Sequence, residues 1–123
     1  MSKIWDNNKI NLISIKYFKK ILKFEEFWSI LKKELKKQKK LKTLVYKREF
    51  LAYLRDENTI IITPKSTLNS KVITKSQAEK AWNIAKKIPI SSRFTVWPYR
   101  KNVRGSSYIV TFLYHYLGTK KVE

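Results

Sequence analysis

The chain has 123 residues, with 28 lysines and arginines against 9 aspartates and glutamates, and a formal net charge of +19. Its length suits a single domain, and 43% apolar residues, including 4 Trp, 7 Tyr and 6 Phe, can build a compact core. The lack of cysteine excludes a disulfide framework, a thiolate zinc site and a cysteine nucleophile; with no signal-peptide pattern and no 18-residue apolar run, it leads us to expect an intracellular, cytoplasmic protein that does not span a membrane.

Lysine-rich, isoleucine-rich composition is how an AT-rich genome writes proteins, but that bias would supply glutamate as readily as lysine. The shortage of acids therefore carries the information. From Lys80 to Val122 there is no aspartate or glutamate at all. A fold that repels itself in this way calls for an acidic partner, and nucleic acid is the simplest one.

The first expected element is a long amphipathic helix from Ser14 to about Lys40. Tyr17, Ile21, Phe24, Trp28, Leu31 and Leu35 recur at alternating spacings of four and three, with Phe18, Leu22, Phe27 and Ile30 widening the stripe beyond a coiled-coil seam. The helix is expected to end in the basic run Lys36, Lys37, Lys39, Lys40 and Lys42, more charge than a helix C-terminus needs and a candidate phosphate contact.

Residues 43 to 63 read as an antiparallel hairpin. Leu44, Tyr46, Phe50, Ala52 and Leu54 alternate with polar residues, Asp56-Glu57-Asn58 reads as a turn, and Ile60, Ile61 and Ile62 form a buried strand stopped by Pro64. A hydroxyl-rich loop from Lys65 to Lys71 follows.

Thr74-Lys75-Ser76-Gln77 is a capping box that opens a helix over 74–88, with Ala78, Ala81, Trp82, Ala85 and Ile88 on one face and Pro89 ending it. Lys75, Lys80, Lys86 and Lys87 fall on its outer side. Ser91 to Trp97 is expected as a short strand, followed by a basic connection. Residues 106–117 fit both a helix and a strand; Ser106 as N-cap and Gly118 past the end favour a C-terminal helix. The sum is an α+β fold in one small domain.

Arg93 to Arg104 has the strongest functional texture. It holds three of the five arginines interleaved with Trp97 and Tyr99, a pairing that suits phosphate forks and base stacking. Arg93, Trp97, Tyr99, Arg100, Lys101 and Arg104 are the candidates here, and Ser106 at a helix start is a further anion contact. The plainer reading makes the aromatics core and the arginines a surface turn.

With one histidine, scattered acids and glycines only at 105 and 118, the chain offers no metal cluster, no EF-hand and no glycine-rich phosphate loop. No cofactor and no catalytic residue are expected. The reading reached is a non-enzymatic nucleic-acid-binding protein, DNA ahead of RNA because no RNA-recognition motif is visible, of the compact kind that phages and mobile elements encode. Neutralising about six phosphates would give a log–log salt slope of roughly −5. Two other classes remain open. One is an inhibitor or accessory factor bound to a larger protein; the other is a metal-independent ribonuclease drawing on Arg93, Tyr99, Arg100, Arg104 and His115.

Overall fold

The computed structural model of the chain describes residues 22–44 and 46–122. Helix α1, Phe24–Glu34, opens on Glu25 and Glu26 and closes on Lys32 and Lys33, charges that complement the helix dipole at each end. Glu26 Oε1 accepts from the Lys23 N–H at 3.2 Å, half of a capping box. Phe24, Phe27, Trp28 and Leu31 form its buried face. The expected start near Ser14 lies outside the described residues. The expected end near Lys40 is corrected: the helix stops at Glu34, because the Leu35 carbonyl accepts from Leu54 N–H at 2.8 Å and ties the chain to the sheet.

Lys39–Lys42 then forms β1, which pairs antiparallel with β2, Glu49–Asp56. A helical continuation would stack neighbouring ammonium groups along one surface. The strand instead turns half-buried Leu41 towards the core opposite Phe50 and sends Lys40 and Lys42 to the other face. Residues 43–44 and 46–48 form a turn connection rather than the start of a strand: Thr43 Oγ1 accepts from Arg48 N–H at 3.0 Å, and Lys47 adopts φ +53°.

The hairpin itself is present as β2 and β3, Thr59–Pro64, joined at Glu57–Asn58, where Asp56 Oδ1 accepts from Asn58 N–H at 2.9 Å. Its register aligns Ala52 with Ile62 and Leu54 with Ile60, and shifts between Leu54 and Asp56. A fourth strand, β4, Lys71–Thr74, was not expected; it completes an antiparallel sheet in the order β1-β2-β3-β4. Phe50, Ala52, Ile60, Ile62 and Ile73 fill the core from one face.

Helix α2, Lys75–Lys87, starts where expected, with Thr74 Oγ1 accepting from Gln77 N–H at 3.2 Å. The return bond of the box is replaced, since Thr74 is already paired with Thr59 in the sheet and Gln77 Oε1 accepts from Arg104 N–H. The expected strand over Ser91–Trp97 is absent. Two single turns stand there, α3, Ile90–Arg93, and α4, Trp97–Arg100, because Thr95 bonds back to the Ser92 carbonyl through both its N–H and its hydroxyl, at 3.2 and 2.7 Å.

The last segment is a helix, α5, Ser106–Tyr116, burying Ile109, Val110, Phe112 and Leu113. Its N-cap is Gly105 at φ +67°, not Ser106; at the far end Gly118, φ +61°, donates to the Leu113 carbonyl at 2.8 Å. The core joins these helices to the sheet through aromatic contacts. Phe27 and Trp82 rings lie 5.1 Å apart between α1 and α2, and Phe50 meets Tyr108 at 4.9 Å between β2 and α5. No helix among the described residues is long and apolar enough to cross a membrane.

Candidate nucleic-acid interface

Two turns of helical bonding run through the arginine-rich segment. Tyr99 and Arg100 N–H groups donate to the Val96 carbonyl at 3.0 and 3.1 Å, and Asn102 and Val103 donate to the Tyr99 carbonyl at 3.1 and 2.9 Å. Pro98 is tolerated because a donor at the start of a helix would have no partner in it. Tyr99 and Val103, four residues apart, point into the core. At 3.6 residues per turn, Trp97, Arg100, Lys101 and Arg104 fall within roughly 100° of one another on the opposite side. All four are exposed, Trp97 to 80%.

This basic side meets the first turns of α2. The Arg104 N–H donates to Gln77 Oε1 at 3.1 Å, and Lys80, three residues beyond Gln77, projects from the same helix surface. A concavity of about 480 Å³ results, lined by Gln77, Lys80, Arg100, Lys101, Arg104 and Ser106 among others. Among the described residues, carboxylates pair with Lys32, Lys39, Lys40, Lys65 and Lys75, and none pairs with Lys80, Arg100, Lys101 or Arg104. Four cations thus surround one hollow without a paired carboxylate among the described residues, a setting that favours a polyanion.

Two of the expected contacts belong to the core instead. Arg93 is 3% exposed and its Nη1 donates to the carbonyls of Gly118 and Lys120, both at 2.8 Å. Burial lowers its pKa from the usual arginine value. Tyr99 is fully buried, its hydroxyl donates to the Arg93 carbonyl at 2.8 Å, and burial pushes its pKa up to about 12. An arginine spent on two backbone carbonyls and a phenol sealed in the core are withdrawn from any surface site.

The lysine run lies elsewhere. Lys36 and Lys37 are exposed between α1 and β1, Lys39 is ion-paired with Glu34, and Lys40 shares Glu49 with Lys65 at 3.2 and 3.4 Å. The Lys39 ammonium holds the Glu34 carboxyl below its ordinary range, and Lys40 does the same to Glu49, with Lys65 adding to it. Lys42 is exposed at the edge of the sheet. This edge is β1, whereas Gly105 at the basic hollow sits against Ile73 of β4. Three strand spacings, roughly 14 Å, separate the two edges, so the lysine run and the arginine segment do not form one patch.

A second hollow of about 580 Å³ at the β1 edge contains Lys40, Lys42, Lys47, Tyr114 and His115, but also Glu49, whose charge answers part of the lysines'. His115 is therefore at the β1 edge while Arg100 and Arg104 are at the β4 edge, and Arg93 and Tyr99 are internal. The five residues considered for metal-free RNA cleavage are not brought together. Among the described residues no three histidine or acidic side chains converge.

Lys80 and Gln77 line the hollow and are the candidates that sequence reasoning does not single out. In the sequence Lys80 falls on the outer side of a helix and nothing local marks it, because its neighbours in the hollow lie some twenty residues further on. Ser106 is half-buried at the first position of α5 and lines the hollow. No protein-family model, curated protein or solved structure matches the chain.

Proposed function

We propose that this chain is a non-enzymatic nucleic-acid-binding protein that acts on DNA ahead of RNA, gripping backbone phosphates with Lys80, Arg100, Lys101 and Arg104. The observation that carries the reading is the hollow at the β4 edge, where these four cations converge and no carboxylate among the described residues pairs with them. Arginine forks meet phosphate oxygens two at a time, the lysines add point charge, and released counterions drive association. The sheet supports DNA over RNA only by its order. Its strands follow one another as hairpins, unlike the split βαββαβ arrangement of RNA-recognition domains.

Titration of a labelled oligonucleotide at low salt tests this reading. Wild type binds, and the double variant Arg100→Ala/Arg104→Ala binds at least tenfold more weakly at an unchanged melting temperature. Failure of wild type to bind DNA or RNA of any strandedness ends it.

A further inference from the structure

We propose that Trp97 is a stacking platform for an unpaired base, so that the basic hollow takes single-stranded DNA in preference to duplex; this rests on the nucleic-acid reading above. Trp28 and Trp82 are both buried, as their size predicts, whereas Trp97 leaves 80% of its surface in water. No hydrogen bond or ring contact holds its indole among the described residues. Arg100 and Lys101 follow it at three and four residues, so a nucleotide whose base lies on the indole has its phosphates within reach of both.

The backbone that carries the indole is fixed on its other side. Pro98 fixes the backbone next to Trp97, and two residues on, Tyr99 is fully buried with its hydroxyl bonded to the Arg93 carbonyl at 2.8 Å. A pinned turn presents the ring without further loss of backbone freedom on binding, which is the economy that preorganised aromatic anchors exploit. Duplex DNA offers no base face to such a ring except at its ends, whereas every base of a single strand has one. The same four cations would serve either form, and only the indole discriminates.

The test compares one sequence as a single strand and as a blunt duplex, bound to wild type, Trp97→Ala and Trp97→Phe at one salt concentration. Trp97→Ala is expected to weaken single-strand binding about 5- to 150-fold while leaving duplex binding within twofold, and Trp97→Phe to recover most of the loss. Unchanged duplex binding also shows that the variant is folded. Equal losses on both forms, or no loss on the single strand, overturn the stacking role and leave phosphate binding standing. Wild type that binds neither form removes the nucleic-acid reading and this inference with it.

Discussion

The Tyr99 hydroxyl donates to the Arg93 carbonyl at 2.8 Å, while the Arg93 guanidinium donates from Nη1 to the Gly118 and Lys120 carbonyls at 2.8 Å each. A buried phenol thus orders the residue that ties the chain's final described segment to the fold. That segment in turn pairs with Leu22, whose N–H donates to the Lys121 carbonyl at 3.0 Å.

Arg93→Leu should therefore behave as a stability variant. It leaves two carbonyls without their charged donor, bonds that contribute about 1.5–3 kcal/mol each, but it also removes the desolvation cost of the buried guanidinium, so a net loss of roughly 2–4 kcal/mol is expected in a urea melt. Tyr99→Phe, which removes one hydroxyl, should cost about 1–2 kcal/mol. Oligonucleotide affinity of the folded fraction should not change in Arg93→Leu, because that side chain does not reach the surface, whereas Tyr99→Phe loosens the turn that carries Trp97 and should weaken single-strand binding.

Alkaline stability gives an independent reading of Tyr99. Its folded pKa of about 12 stands above the unfolded value near 10, so the folded state keeps a proton that the unfolded state gives up. The stabilisation is complete below about pH 10 and is lost as pH rises through 12. The measurement is the difference between wild type and Tyr99→Phe, which isolates this one group. Wild type should lose about 2–3 kcal/mol more than the variant between pH 9.5 and 12. Parallel curves would contradict the buried phenol.

Thr74→Ala removes the side chain that accepts from Gln77 N–H at 3.2 Å at the start of α2. An N-cap loss costs about 1 kcal/mol, visible as a lowered denaturation midpoint at constant slope. Since Gln77 also accepts from Arg104 N–H, fraying of this turn should weaken oligonucleotide binding as well as stability.

Strong periodicity made α2 and the β2–β3 hairpin legible in the sequence, and Gly118 marked the end of α5. The end of α1 was not legible, because lysines favour helix and the apolar stripe runs on through Leu35. Pairing of residues 39–42 with β2 decides the matter, and that is a tertiary effect. Strand β4 was hidden by its length, with Ile73 its one core residue. Alternation around Phe94 and Val96 imitated a strand, but the bonds from Thr95 to Ser92 and the inward turn of Arg93 overrode it. At the candidate site, residue type alone singles out Trp97, Arg100, Lys101 and Arg104, which the structure leaves exposed on one side of the segment. That Tyr99 and Val103 would face inward is also written in their spacing, once the segment is read as helical rather than as a loop. An arginine that turns into the core, as Arg93 does, carries no local signal.

The salt dependence of binding tests the central claim most directly. Four contacts from Lys80, Arg100, Lys101 and Arg104 predict that log affinity for DNA falls against log salt with a slope of about −3 to −4. In the variant with all four changed to alanine the slope should collapse to within about one unit of zero, whereas Lys40→Ala/Lys42→Ala at the opposite edge of the sheet should leave it within one unit of wild type. A fourfold variant that keeps the wild-type slope and affinity would contradict the account.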